Sequence, residues 1–134
     1  QVTNKKKYLK FQKNLKKIKN NVLKNISWLK KRYKKIYGYA ASAKTTVAMN
    51  FFGLDNKLIK NVIDDNLLKQ GKYIPGTGVK IISKNFIKKE NCAIVFAWNM
   101  FEEIKKQNYN KFKIFINVRD LYSANFITKF KKFN

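Results

Sequence analysis

The sequence predicts an α/β fold with a mostly parallel, five-stranded sheet and flanking helices, preceded by a long amphipathic helix. Apolar segments of strand length alternate with helical patterns or loops along residues 35–117. Before them, over residues 4–33, apolar residues recur at steps of three and four, the period of one helix face. We therefore divide the chain into a connector helix (1–34), an α/β domain (35–117) and a C-terminal tail (118–134) of undetermined structure.

The composition is that of a folded domain with a large positive charge. The chain has 134 residues, 45% apolar and 15% aromatic, which is enough for one modest core and too apolar for a disordered chain. Its net charge of +24 suggests a polyanion as partner. All but two basic residues are lysine, however, and the bias toward Lys, Asn, Ile and Phe is typical of AT-rich coding sequence. We expect any nucleic-acid binding to be non-specific, because lysine lacks arginine's bidentate reach.

The chain contains no histidine and one cysteine, Cys92. A single thiol within an apolar run cannot form an internal disulfide, and we expect it to be buried. Seven acidic residues and one thiol make no convincing metal-ligand set. No apolar run approaches the length of a membrane span, and no signal peptide is recognisable. We expect a cytoplasmic protein without membrane contact, and the start at Gln1 suggests a piece of something longer.

The fold is organised around the segment 35–46. Ile36 and Tyr37 end a short strand, small residues follow, and a helical pattern begins near Thr45. Strand, small-residue turn and helix together present backbone N–H groups to a phosphate in Rossmann-type units. Lys44 would add a cation there. A plain strand-to-helix turn with a solvated lysine is the alternative interpretation.

The remaining elements follow in an order that places three loops at one sheet edge. Further strands are predicted at 58–63, 79–83, 92–98 and 112–116, with helices at 45–52 and 100–108 and one or two helical turns at 85–90. In a parallel sheet the loops Gly38–Lys44, Asp64–Gln70 and Trp98–Asn99 then share the carboxyl edge, where ligands bind. Asp64 and Asp65 could hold a ribose hydroxyl, or they could only begin a turn. The irregular 69–77 segment could be a functional loop or a connector.

The apolar stripe of the long helix needs a partner. It comprises Tyr8, Phe11, Leu15, Ile18, Val22, Ile26, Leu29 and Tyr33. A lysine-rich amphipathic helix can lie on an anionic membrane. We favour packing on the protein's own core or on a neighbouring domain.

Several short motifs in order carry a family resemblance between about Lys35 and Ile116. They are Gly38-Tyr39, Ala41, Ala43-Lys44, Asn50, Gly53, Asp64-Asp65-Asn66, Lys69-Gln70-Gly71, Pro75-Gly76-Thr77 and Trp98-Asn99. In this order they resemble the C-terminal domain of S-adenosylmethionine-dependent sugar C-methyltransferases. The resemblance implies that these residues, apart from Gly53 and together with Tyr73, bind the substrate.

The resemblance also implies a Rossmann-like domain that helps to hold a nucleotide-linked deoxysugar. In such enzymes a zinc-binding segment and a methyltransferase domain, which binds S-adenosylmethionine, precede this domain. We therefore expect no cofactor and no catalytic residue in this chain, the upstream methyltransferase domain as its partner, and no methyl transfer by the chain alone.

Three positions depart from the family pattern. Ala40 and Thr45 stand where glycine is common, and Gly78 stands where a histidine is usual. Ala40 is a small change provided that its φ is negative, whereas Thr45 narrows the approach of a phosphate to the backbone. Two other functions remain open: a basic nucleic-acid or ribosome-associated protein, and a decayed domain with only a structural role.

Overall fold

A computed structural model describes residues 2–134 and has six strands in one sheet with helices packed on it. The strands are β1 (Ile36–Tyr39), β2 (Val62–Ile63), β3 (Tyr73–Ile74), β4 (Val79–Ile82), β5 (Glu90–Val95) and β6 (Phe112–Asn117). The α-helices are α1 (Val2–Tyr33), α2 (Ala43–Phe52), α3 (Phe101–Gln107) and α4 (Phe126–Phe133). Short 3-10 turns span Lys84–Phe86, Trp98–Met100 and Val118–Tyr122.

The sheet order is β3-β4-β2-β1-β5-β6, and every pairing except β3 with β4 is parallel. The five parallel strands correspond to the five predicted ones, so the α/β class and the mostly parallel sheet are confirmed. The number of strands is six rather than five, because β3 lies in the 69–77 segment. A strand of two residues, turned back by Pro75 and Gly76, is too short to show a period in the sequence.

Alternation along the strands separates two layers of core. In β5, Cys92 and Ile94 face the α1, α2 and α4 side, whereas Ala93 and Val95 face the α3 side. All four side chains are fully buried. A strand buried on both faces reads as a continuous apolar run, which is how residues 92–98 appear in the sequence.

The predicted long helix is confirmed, and its C-terminal half belongs to the core of the sheet. Val22, Ile26 and Leu29 have no exposed surface and pack with residues of the sheet, α2 and α4. Toward its N-terminus the helix leaves the core, and Tyr8 and Phe11 are exposed. None of the helices within residues 2–134 has an apolar stretch long enough to cross a membrane.

Residues 118–134, whose structure the sequence left undetermined, form the 3-10 turn and α4. Leu121, Phe126 and Phe130 are buried in the same core as α1. The buried Asn25 amide donates to the carbonyls of Leu121 (2.9 Å) and Ser123 (3.0 Å). These contacts fasten the C-terminal segment to α1.

Candidate functional site at the carboxyl edge of the sheet

The order in which the strands are added to the sheet reverses between β1 and β5. From β1 the chain proceeds outward to β2 and β4 on one side, whereas β5 and β6 continue on the other. The loops that leave two such strands diverge, and the space between them is the usual ligand crevice of open α/β sheets. Tyr39 and Val95 are paired at the ends of β1 and β5. The crevice therefore lies between residues 40–42 and residues 96–98.

Lys44 and Trp98 meet across this crevice. Lys44 lies in the first turn of α2, and Trp98 begins the turn that follows β5. The Lys44 Nζ is 4.6 Å from the centroid of the Trp98 ring. The contact is a cation–π interaction between two exposed side chains, worth about 0.5–1 kcal/mol. An anion entering the crevice would compete for the same ammonium group.

Two hydroxyl groups, those of Ser42 and Thr45, form the hydrogen bonds that stabilise the turn before α2. Ser42 caps the helix by accepting a hydrogen bond from the Thr45 N–H at 3.3 Å. Thr45 is fully buried, and its hydroxyl donates to the carbonyl of Ala40. The Thr45 side chain thus fills space that a glycine would leave empty, and its hydroxyl bonds the turn to the start of α2.

Ala40 adopts a left-handed backbone conformation with φ of 62°. Alanine was expected to be a small change there only if its φ were negative, and this condition is not met. A Cβ in this region costs about 1–2 kcal/mol, which explains why glycine suits the position.

Asp64, predicted to contact a ribose or to begin a turn, fastens its loop to the α2 turn. Its carboxylate accepts from the backbone N–H groups of Ala41 (2.7 Å) and Asn66 (2.8 Å). Lys69 donates to the Ala41 carbonyl at 2.9 Å, and Gln70 donates to the Asp64 carbonyl at 3.0 Å. These five predicted residues therefore come together as a clasp that fixes the backbone on one side of the crevice.

Tyr39 and Asp65 lie on the α3 side of the same edge. The Tyr39 hydroxyl donates to Asn108 Oδ1 at 3.0 Å and lies 3.5 Å from both Asp65 carboxylate oxygens. Lys84 is 3.8 Å from Asp65. Burial, and then the charge of Asp65, raise the pKa of the Tyr39 hydroxyl above its ordinary value. A phenol in this setting stays protonated near neutral pH, which disfavours a role as a base.

A second group of predicted residues lies toward the other end of α2. Asn50 follows Lys44 by six residues, or about 9 Å along the helix axis. Its amide donates to the Pro75 carbonyl at 2.8 Å. A Cβ on Gly76, whose φ is 79°, would lie 2.3 Å from the Asn50 Oδ1. Thr77 is buried and donates to the Ile74 carbonyl at 2.8 Å. This group holds the β3–β4 hairpin against α2.

The other predicted residues have separate positions. Gly38 lies within β1, where a Cβ would be 3.1 Å from both Phe96 and Val62. Ala43 is the first residue of α2, and Asn99 lies in the exposed turn after Trp98. Gly71 has a φ of 85°, and Tyr73 is exposed on β3. Gly78, one of the three positions that depart from the pattern of the resemblance, has a φ of 71°.

The sequence reasoning missed Arg119. Its guanidinium carbon is 3.4 Å from the centroid of the Trp98 ring, so the ring contacts both this arginine and Lys44. Arg119 is the second residue after the end of β6, at the same sheet edge. Two features of the sequence could have identified Arg119 as a site residue: its position after a strand of the sheet, and its being one of only two arginines in the chain.

An apolar groove, also missed, begins at Lys44 and Trp98 and runs between α1 and α2. Its volume is about 520 Å³. Leu15 and Ile18 of α1 form one wall, and Val47, Ala48 and Phe51 of α2 form the other. We refer to it as the α1–α2 groove. Sequence periodicity cannot reveal it, because it depends on where two helices separate.

The fold and site define an α/β domain with a cationic crevice at the point where the strand order of the sheet reverses, between β1 and β5. The model of the C-methyltransferase C-terminal domain family matches residues 1–114. The chain therefore belongs to this family, which confirms the resemblance found in the sequence. None of the curated proteins compared with it matches.

Proposed function

We propose that this domain binds a nucleotide-linked deoxysugar, the acceptor of an S-adenosylmethionine-dependent sugar C-methyltransferase. The observation that carries the proposal is the crevice between β1 and β5, with Lys44 and Trp98 on opposite sides of it. The diphosphate of the ligand would lie beside Lys44. Family membership supports the methyltransferase assignment.

Charge and backbone geometry at the crevice favour a diphosphate. The N-terminus of α2, a helix of ten residues, favours an anion by about 0.3–1 kcal/mol. Hydrogen bonds from Lys44 and Arg119 to phosphate oxygens would be charge-assisted and stronger than neutral ones. The parallel order β4-β2-β1-β5-β6 supports a Rossmann-like assignment, in which phosphates bind at this edge.

We propose that methyl transfer depends on groups outside this crevice. The methyl donor must be held beside the acceptor carbon, and a base must take the proton from that carbon. The raised pKa of Tyr39 makes it a poor base, and the Asp64 carboxylate is engaged by backbone N–H groups. We propose that a methyltransferase domain of the same protein binds S-adenosylmethionine and performs the reaction in the cytoplasm.

Calorimetric titration with a panel of nucleotide-linked deoxysugars tests the binding proposal. Lys44→Ala should weaken binding at least several-fold, because the ammonium that contacts Trp98 across the crevice is lost. Lys113→Ala is the matched control: this lysine is exposed near the amino end of β6, at the opposite edge of the sheet. Equal affinity of parent and Lys44→Ala would place the ligand elsewhere.

A methyl-transfer assay tests the division of labour. The chain with S-adenosylmethionine and nucleotide-linked ketosugars should show no turnover until a methyltransferase domain is added. Turnover by the chain alone would overturn this part of the proposal.

The exposed lysines of α1 favour non-specific nucleic-acid binding as a second candidate function. Seven exposed lysines lie between Lys5 and Lys17. Such contacts neutralise phosphates without reading bases, so affinity for RNA should fall steeply with salt. A sequence preference at physiological salt would contradict a purely electrostatic mode.

A further inference from the structure

The apolar stripe of α1 continues beyond the core that covers it. Ile18 and Leu15 are half-buried, while Phe11 and Tyr8 are 59% and 60% exposed. Phe11 precedes Leu15 by four residues, so it lies on the same face about 6 Å further along the helix. The apolar stripe therefore continues at least one helical turn beyond Leu15, where the α1 wall of the groove ends.

Helix α2 contributes a second exposed apolar row to the groove. Val47 is 69% exposed and Phe51 is 41% exposed, and their spacing of four residues places them on one face. Contiguous apolar surface on two neighbouring helices is typical of a binding site for a third helix.

The borders of the groove are strongly basic. Lys7 precedes Phe11 by four residues and Lys19 follows Leu15 by four, so both continue the row that forms the α1 wall. Lys44 lines the groove itself. The first acidic residue of the chain is Asp55, so α1 carries no carboxylate that could neutralise these lysines.

We propose that the α1–α2 groove binds an amphipathic helix of a partner protein or domain, with an apolar stripe bordered by Asp and Glu. The apolar stripe would cover Leu15, Val47 and Phe51, and its carboxylates would pair with the bordering lysines. A second copy of this chain lacks the required charge, because its net charge is +24 and its own α1 carries no acid. The proposal does not depend on nucleotide-sugar binding.

The occupant would lie beside the crevice, because Lys44 and Trp98 line the groove as well. A helix seated there would exclude water from one side of the Lys44–Trp98 pair. Interactions between Lys44 and an anion strengthen when water is excluded.

The test uses the full chain and a labelled 18-residue synthetic peptide with leucines at helical spacing bordered by glutamates. Fluorescence anisotropy at physiological salt measures its affinity, and a scrambled peptide of the same composition reports attraction by charge alone. We expect the striped peptide to bind at least tenfold more tightly than the scrambled one.

Val47→Lys should remove this preference and weaken binding of the striped peptide at least tenfold. The new lysine adds attraction for an acidic peptide, so weaker binding can only come from lost apolar contact. Leu67→Lys is the matched control, because Leu67 is 81% exposed and outside the groove. Phe11→Lys provides a second variant, on the stripe one turn beyond the groove, and a thermal melt of each variant checks its fold.

Three results would overturn the proposal. One is equal affinity for the striped and scrambled peptides. Another is an equal effect of Val47→Lys and Leu67→Lys. The third is a dimer of the parent in sedimentation experiments that Val47→Lys dissociates, which would make the occupant a second copy.

Discussion

In the C-terminal half of α1, Val22, Ile26 and Leu29 have no exposed surface, whereas Tyr8 and Phe11 in the N-terminal half are 60% and 59% exposed. Both sets belong to one stripe with the same helical period. The sheet, α2 and α4 cover the first set, and nothing in residues 2–134 covers the second to the same degree. A helical period therefore identifies the apolar face of a helix but not its partner.

The largest expected difference between the halves is in core packing. Ile26→Ala should lower the free energy of unfolding by about 2–5 kcal/mol, because it leaves a cavity among fully buried neighbours. Phe11→Ala should change it by less than about 0.5 kcal/mol, since its ring is mostly in water. Urea denaturation of both variants measures the contrast. Similar losses would mean that the N-terminal half is packed in solution.

Polar anchoring should give the next largest difference. Asn25→Leu removes the amide that donates to the buried carbonyl of Leu121 and the part-buried carbonyl of Ser123. It should cost about 2–3 kcal/mol, because both acceptors lose their donor. Asn14→Leu is the matched change at an exposed position of the same helix. Equilibrium unfolding of the pair tests this. If Asn25→Leu were as stable as Asn14→Leu, the C-terminal segment would not depend on this anchor.

The stability of the protein at alkaline pH tests whether the Cys92 thiol is buried in the core that covers the C-terminal half of α1. Burial raises the pKa of the Cys92 thiol to about 12 from an ordinary value of 9.0. The neutral thiol therefore contributes stability that is fully present below pH 9 and is lost as the pH rises toward 12. At pH 10 part of this contribution, on the order of 1 kcal/mol, should already be lost.

Cys92→Ala should lose less stability than the parent between pH 8 and pH 10, because it has no thiol to ionise. Tyr37→Phe gives a second comparison, since burial and Glu90 raise the pKa of Tyr37 to about 12. Urea midpoints across this pH range measure both. Parallel curves for the parent and Cys92→Ala would contradict a buried, neutral thiol.

The sequence predicts the fold where long periods or continuous apolar runs exist. The stripe of α1 and the run Cys92–Trp98 span enough residues for their period to dominate local propensity. Strand β3 and helix α4 are only two and eight residues long. Elements this short are stabilised by tertiary contacts, here with β4 and α1, which the sequence does not display.

The candidate site is predicted only in part. Parallel strands place the loops at residues 40, 64 and 98 on one edge by topology alone, and the structure joins them through Ala41–Asp64 and Lys44–Trp98 contacts. The φ of Ala40 and the approach of Arg119 to Trp98 depend on three-dimensional packing. No spacing in the sequence encodes either of them.

The smallest expected effect is at the residue that ends the C-terminal half of α1. Lys34 has a φ of 66°, and its N–H donates to the Lys30 carbonyl at 2.7 Å, the bond of a left-handed helix cap. Glycine adopts this conformation without the clash of a Cβ, at some cost in backbone entropy. Lys34→Gly should therefore raise the free energy of unfolding by about 0.5–1 kcal/mol.

Lys24→Gly, in the same half of the helix, should change the free energy of unfolding in the opposite direction. Lys24 is exposed and helical, so glycine there should cost about 1 kcal/mol. Both changes remove one lysine and introduce one glycine, so the difference between them isolates the backbone conformation. Urea denaturation at a single pH measures it. If Lys34→Gly destabilised the protein as much as Lys24→Gly, then α1 would continue past Tyr33 in solution rather than end in a left-handed cap.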